Sequence, residues 1–282
     1  MPLVTMKQLL VRARENVYGV GAFQFWSFDS AQAVIWAAEE QKMPVILQAG
    51  PLEIEYAGLK NIYQIAKAVT EGPGVEAALH LDHGETFEDA RQAIEAGFTS
   101  VMIDASHLSF KENVELTKRV VKAARPHGVT VEAELGRLAG IEGNLSVSEE
   151  EAAQTDPDEA KRFVEETGID ALAVAIGTAH GFYKYAPRIN IERLKLIAGK
   201  VDIPLVLHGG SKTPDEKVKE AIANGIAKVN ICTEFVAAFG KAYVDTQNTP
   251  GFKYGVPSLF IPSRTAGKKL AASKIKLFSL RG

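Results

Sequence analysis

Short apolar runs alternate along the chain with stretches whose apolar residues recur every three or four positions. Residues 4–16 (VTMKQLLVRAREN) show the helical spacing, and residues 18–25 (YGVGAFQF) read as a first strand. A helix over 29–42 leads to a strand over 44–50 (PVILQAG), and a helix over 59–70 to a strand over 76–83. Helices over 86–96 and 111–126 precede strands at 100–105 (SVMIDA) and 130–136 (TVEAELG). A polar, acidic stretch over 141–157 interrupts the rhythm. It then resumes with helices over 157–168, 191–199 and 215–224 and strands over 171–177, 204–210 and 228–233.

Eight mostly apolar strands, each separated from the next by a helix, are the pattern of parallel strands covered on their outer face. Eight such units predict a closed (β/α)8 TIM barrel rather than an open doubly wound sheet. The open sheet has no support in a G-x-G-x-x-G after the first strand. Residues 1–282 read as one domain, with 246–282 standing out as a basic C-terminal extension that holds seven Lys or Arg and no acid.

Composition narrows the function classes. With 46% hydrophobic and 24% charged residues the chain has the make-up of an ordinary globular protein. A net charge of −3 gives no electrostatic reason for a nucleic-acid partner. The single cysteine, Cys232, excludes an internal disulfide. The first residues lack the apolar core of a signal peptide, and no apolar run reaches membrane-span length. A cytoplasmic protein without membrane contact is the expectation.

In such a barrel the C-terminal strand ends form the active face. Seven of the eight strands end in polar residues there: Gln24, Asp82, His83, Asp104, Glu134, His180, His208 and Asn230. Three neutral imidazoles, His83, His180 and His208, with an open fourth position are a common ligand set for a catalytic divalent metal. Asp82 beside them is a candidate acid/base group. Strand alternation sends Asp82 and His83 to opposite faces, so His83 reaches the metal only if the chain turns at the strand end, where Gly84 permits it. His80 falls among barrel-lining side chains. Asp104 and Glu134 are candidates for a second cation, with hydrogen bonding to nearby backbone as the competing use.

Two further segments carry candidate chemistry. Gly209, Gly210 and Ser211 close the seventh strand, and Asn230, Ile231, Cys232 and Thr233 close the eighth, where many barrels bind phosphate through backbone N–H groups. Ordinary strand-to-helix turns are also rich in such residues. The segment over 137–155 has the length and polarity of a mobile lid, and Glu142 between Gly140 and Gly143 is a candidate proton donor. A solvated acidic loop is the competing reading.

The motifs LHLDHG, VMIDASH, VEAELGRLAGIEG, AVAIGTAHGFYK, LVLHGGS and KVNICTE, in this order and spacing, resemble the class II (metal-dependent) fructose-bisphosphate aldolase family. The nearest branch is the bacterial tagatose- and fructose-1,6-bisphosphate aldolases, and the resemblance covers roughly residues 1–240. It implies reversible cleavage of a ketose 1,6-bisphosphate or ketose 1-phosphate to dihydroxyacetone phosphate and an aldehyde, assisted by zinc, in carbohydrate metabolism such as glycolysis. It also implies a homodimer or homotetramer. His83, His180 and His208 would bind the catalytic zinc, Asp82 would move a proton at the hydroxyl of the bond being broken, and Glu142 takes the place of the mobile-loop proton donor. Asp104 and Glu134 match positions associated with a second cation. Gly181, Gly209, Gly210, Ser211, Asn230, Ile231, Cys232 and Thr233 would hold dihydroxyacetone phosphate.

The chemistry agrees with the residues. A carbanion beside a carbonyl needs a Lewis acid or a lysine Schiff base. No strand carries a lysine at its active-face end; Lys184 lies in a loop, and Lys228 opens the eighth strand toward the opposite face. A metal-dependent epimerase or isomerase and a non-catalytic aldolase-like subunit are the rival readings. The departures lie on the other half of the substrate. Gln24, Phe25, Trp26 and Ser27 replace an Asn-x-x-Asn, Phe182 replaces a Pro or Val, and the family's Asp-Pro-Arg has no clear match. In the divergent tail, Arg264 or Arg281 is the substitute phosphate ligand to look for, and a basic face at a subunit contact is the other use of these charges.

Overall fold

The computed structural model describes residues 3–72, 74–137, 140–142, 145–147, 153–179, 181, 187–253 and 255–280. Eight parallel strands close into one barrel: β1 (Val20–Gln24), β2 (Val45–Ala49), β3 (Ala77–Gly84), β4 (Ser100–Ile103), β5 (Thr130–Leu135), β8 (Ala171–Val174), β9 (Leu205–Leu207) and β10 (Ile226–Ile231). Each expected strand is present; six are shortened at their ends, while the third is shifted one residue toward the C-terminus and the eighth two residues toward the N-terminus. The helices between them are α2 (Phe28–Gln41), α4 (Leu59–Thr70), α5 (Phe87–Ala96), α6 (Phe110–Ala124), α7 (Pro157–Thr167), α8 (Ile191–Ala198) and α9 (Asp215–Ala223). Side-chain hydroxyls or carboxylates of Ser27, Thr86, Ser109 and Asp156 cap α2, α5, α6 and α7, which satisfies N–H groups the first turn leaves open.

The barrel interior is filled from below. Helix α1 (Met6–Glu15) closes the N-terminal mouth, where Met6, Leu9, Leu10 and Ala13 pack against Val20, Ala22, Ile46, Ala78, Met102 and Ala173. This packing lines the lower end mainly with apolar side chains, with buried Ser100 against Met6 as the lowest link of the polar interior.

Three elements differ from the sequence expectation. A short helix, α3 (Pro51–Ala57), follows β2, with Gly50 as its N-cap and Pro51 at its start. The polar segment after β5 holds an antiparallel pair, β6 (Gly140–Glu142) and β7 (Leu145–Val147), rather than loop alone. Its base is joined by paired hydrogen bonds between Arg137 and Ala153 at 2.8 and 3.1 Å.

The basic tail is part of the barrel wall. After α10 (Thr233–Gln247), helix α11 (Val256–Phe278) packs on α2, α10, α9 and β1. Ala271, Ile275 and Phe278 form its buried stripe, at the i, i+4, i+7 spacing of one helix face. Gly19 N–H donates to Phe278 O at 2.8 Å. A Cβ on Gly19 would stand 2.9 Å from Ile222 and 3.4 Å from Phe278, so the strand can lie this close only with glycine there. The tail's cations pair with acids of the same chain: Lys268 with Glu40 at 2.7 Å and Lys274 with Glu234 at 3.0 Å. Arg264 lies 3.4 Å from Asp29 and stacks 4.5 Å over the Trp36 ring. Within this chain it is held on α2. Arg281 lies outside the described residues.

Candidate active site

The mouth is organised by an irregularity in β3. Leu81 pairs with Val101 and Gly84 with Ile103, so β3 carries one residue more than β4 over this interval, a bulge. Inside it His83 adopts φ +46°, a left-handed conformation uncommon for non-glycine residues. Asp82 and His83, which simple alternation would separate, therefore both reach the mouth. The turn is made by His83 itself, not by Gly84. Gly84 is needed for space, because a Cβ there would lie 2.7 Å from the Met102 carbonyl oxygen.

Asp82 is gripped on both oxygens. Asn230 Nδ2 donates to Oδ1 at 3.0 Å and Gln48 Nε2 to Oδ2 at 2.8 Å. Gln48 also donates to Gln24 Oε1 at 3.0 Å, and Gln24 Nε2 donates to Glu53 Oε2. Glu53 Oε2 accepts the Gly50 N–H at 3.0 Å. Burial raises the Glu53 carboxyl above the usual carboxylate range, against the lowering effect of the Gln24 bond.

Two imidazoles face each other next to Asp82. His83 Nδ1 bonds Asp104 Oδ2 at 2.8 Å, and His208 Nε2 bonds Glu132 Oε1 at 3.0 Å. With those nitrogens donating to carboxylates, the remaining nitrogens, His83 Nε2 and His208 Nδ1, are lone-pair bearing. They stand 2.9 Å apart. Two neutral imidazoles cannot hydrogen-bond to one another through these nitrogens, and a cation between them suits both lone pairs. A carboxylate behind each ring is also the usual support of a metal-binding histidine. Asp82, His83 and His208 offer ligand atoms within 4.8 Å of one another, and so do His83, Asp104 and Glu134. The donor set fits a divalent cation.

Beneath them the barrel holds a closed polar chain. Glu132 Oε2 accepts from Lys228 Nζ at 2.8 Å, and Lys228 also reaches His80 Nε2 at 3.1 Å. His80 Nδ1 bonds Ser100 Oγ at 2.8 Å. Burial, then the charge of Lys228, holds His80 well below the usual imidazole range. Lys228 on β10 neighbours neither β3 nor β5, so its contacts to His80 and Glu132 cross the barrel interior, whereas Ser100 stands beside His80 on the adjacent β4. Lys228 is thus fully buried in an ion pair inside the barrel, not turned to the opposite end.

Asp104 and Glu134 differ in their surroundings. Burial would raise Asp104, but the bonds from His83 and Ser106 outweigh it and hold the carboxyl well below the usual range. Its Oδ1 accepts from the Ser106 N–H at 3.1 Å and the Ser106 hydroxyl at 2.7 Å. Glu134 is pushed well above the usual range by burial and then by the charge of Asp104. Its Oε2 has no partner among the described residues.

One cleft is lined by Gln48, Asp82, His83, Gly181, His208, Gly209, Ser211, Asn230, Cys232 and Thr233. Thr233 opens α10, whose first turn therefore points its N–H groups at this cleft. Ser211 Oγ accepts the Glu234 N–H at 3.3 Å. Gly209 must be glycine, since it has φ +66° and a Cβ would sit 2.4 Å from the Ala179 carbonyl oxygen.

A family model, fructose-bisphosphate aldolase class-II, matches residues 4–282. The chain belongs to the class II fructose-bisphosphate aldolase family. As such it is an enzyme, a class II aldolase and so a lyase. The match extends through the tail, beyond the roughly 240 residues that the motifs span. The chain is 42% identical to a fructose-bisphosphate aldolase of Helicobacter pylori (strain J99 / ATCC 700824) over 98% of this chain and 97% of that one. It superposes on the crystal structure of the YdjI aldolase from Escherichia coli K12 with a TM-score of 0.88 at 37% identity, covering 99% and 98% of the two chains. A fructose-bisphosphate aldolase structure from Campylobacter jejuni, at 21% identity and TM-score 0.78 over 98% and 94%, shares the fold.

Within this class II aldolase the structure brings most of the sequence-predicted residues to one cleft, but not all. Gly210 lies behind the wall against Val229 and Asn230, and Ile231 is in the apolar layer between strands and helices. Gln24 sits one hydrogen bond back from the cleft, on Gln48. His180 lies outside the described residues, as does the Phe182 departure, and the side chain of Glu142 is likewise outside the described part of β6. Three residues escape a reading by strand ends. Gln48 is the polar end of the one strand that seemed to lack one. Glu132 stands as the odd charge inside an apolar strand, TVEAELG. Glu53 lies on a helix with no periodic signal.

Proposed function

We propose that this aldolase is zinc-dependent and reversibly cleaves a ketose 1,6-bisphosphate of the fructose or tagatose type, or a ketose 1-phosphate, to dihydroxyacetone phosphate and an aldehyde. The observation that carries the metal dependence is the His83–His208 pair, with two lone-pair nitrogens 2.9 Å apart and a carboxylate behind each ring. His83 and His208, with His180 as third ligand, would hold the zinc. A cation there supplies Lewis acidity for cleaving the carbon–carbon bond.

The chain's own groups do the rest. Asp82 takes the proton from the hydroxyl on the carbon released as aldehyde, and returns it in the condensation direction. Asn230 and Gln48 fix both its oxygens, so its orientation is set before substrate arrives. The phosphate of the dihydroxyacetone half is held by the backbone at Gly181 and Gly209, by Ser211, and by Cys232 and Thr233 at the α10 N-terminus, all on the cleft wall. Glu142, on the hairpin that follows β5, is the proton donor to the carbanion. Glu134 Oε2, buried and without a partner among the described residues, supports a second cation beside Asp104. The sugar phosphate is the only small-molecule partner this requires. A homodimer or homotetramer is supported by Phe28, Val236, Val244 and Ile261, exposed on α2, α10 and the α11 that packs on both.

Incubation with fructose 1,6-bisphosphate, tagatose 1,6-bisphosphate and fructose 1-phosphate, with dihydroxyacetone phosphate measured by a coupled reductase, tests the reading. Release of dihydroxyacetone phosphate from at least one ketose supports it. A new ketose epimer without dihydroxyacetone phosphate would instead establish epimerisation.

A further inference from the structure

The roles above leave two buried acceptor atoms unused. Gln48 Oε1 and Asn230 Oδ1 belong to residues of the cleft wall and have no hydrogen-bond partner among the described residues. Both amides commit their nitrogens to Asp82. An ionised carboxylate only accepts, so each amide must turn its NH2 to Asp82 and its oxygen away from it. Buried carbonyl oxygens are rarely left unpaired in native proteins. In a cleft for a hydroxylated substrate, hydroxyl donors are the fitting partners.

Gln48 has a second lock that Asn230 lacks. The nitrogen that serves Asp82 also donates to Gln24 Oε1, and Gln24 donates in turn to Glu53, whose carboxylate is steadied by the Gly50 N–H. A carboxylate at each end leaves both amides a single orientation. Reversing Gln24 would set its oxygen against Glu53; reversing Gln48 would set its oxygen against Asp82. Glu53 itself is not on the cleft wall. The geometry points to Glu53 as a positioning residue that, through Gln24, holds the Gln48 oxygen as acceptor for a substrate hydroxyl adjacent to the one at which Asp82 moves its proton. This deepens the aldolase reading and rests on it.

The test is condensation of dihydroxyacetone phosphate with glycolaldehyde and with acetaldehyde, which differ only in that hydroxyl. The unmodified enzyme favours glycolaldehyde in kcat/KM by about tenfold, the size of one well-made neutral hydrogen bond. Gln48→Met, which removes the acceptor, brings the ratio close to one. Glu53→Leu and Gln24→Leu break the relay at two further links, and each lowers the ratio at least about threefold. Glu53→Gln, which keeps an acceptor oxygen, recovers part of what Glu53→Leu loses. The ratio is insensitive to a general loss of active enzyme, and Gln24→Leu decides the matter if Glu53→Leu does not fold. An unmodified enzyme with no preference, or relay variants that keep the full ratio, would overturn the assignment of Glu53 while leaving the aldolase reading intact. An enzyme that releases dihydroxyacetone phosphate from a ketose phosphate but condenses neither aldehyde would likewise overturn the assignment of Glu53 and leave the aldolase reading intact.

Discussion

For each side chain at the mouth, the chemistry depends on which atom is already committed elsewhere. Asp82 is held by two amides, His83 and His208 each by a carboxylate, and the two rings face each other. Asp82 and His208 consequently have separable duties. Asp82→Ala should keep the metal and lower turnover about a hundredfold or more, the usual size of lost acid/base assistance. His208→Ala should lose the metal. Metal content by atomic absorption alongside turnover checks this, and an equal fall of metal in both variants would contradict the division. Asp82, His83, His208 and Asn230 were legible in the sequence because a polar residue ending an apolar strand has few other uses in a barrel. Lys228 and Glu132 were not. Period-two alternation tells on which face a long side chain begins, but not that Lys228 Nζ reaches across the interior to Glu132.

Among the elements, β3 and α11 show how local irregularity serves the site. The β3 bulge sends two consecutive residues to one mouth, and a sequence reading can only note that such a turn is required, not which residue makes it. The tail presents two conflicting signals. Its composition, seven cations and no acid, suggests a surface segment, whereas the spacing of Ala271, Ile275 and Phe278 specifies a buried stripe. Spacing prevails, because β1 would otherwise expose its outer face, and acids on α2 and α10 pair with the lysines. Phe278 is fully buried, so Phe278→Ala should destabilise the fold by about 3–5 kcal/mol. Urea denaturation measures this, and a change under about 1 kcal/mol would mean that the helix end is not part of the core.

Across the whole molecule, the alternation of eight apolar strands with helices carried the fold, and the closed barrel matches it strand for strand. No helix among the described residues is long and apolar enough to cross a membrane. The substrate's far half was less legible, since its recognition depends on side chains from separate elements and Arg264 proves to be engaged by Asp29 and Trp36. At the β1 and β2 ends stand Gln24, Gln48 and Glu53, two amides and an acid. A distal phosphate without an arginine fork forgoes charge-assisted hydrogen bonds of about 1.5–3 kcal/mol each, so two of them amount to about a hundredfold or more in affinity. We therefore expect weaker discrimination than relatives show between fructose 1,6-bisphosphate and fructose 1-phosphate. A preference for the bisphosphate above about a thousandfold in kcat/KM would show that the distal phosphate is still firmly held. The central claim is that a metal held at His83 and His208 does the work a Schiff-base lysine does in other aldolases. The most direct measurement is release of dihydroxyacetone phosphate from ketose phosphate before chelation, after it, and after stepwise return of zinc. Activity should disappear with the metal and return as the site fills, with one equivalent per chain restoring it. Activity that survives complete removal of metal, together with covalent trapping of substrate on the protein by borohydride, would contradict the account.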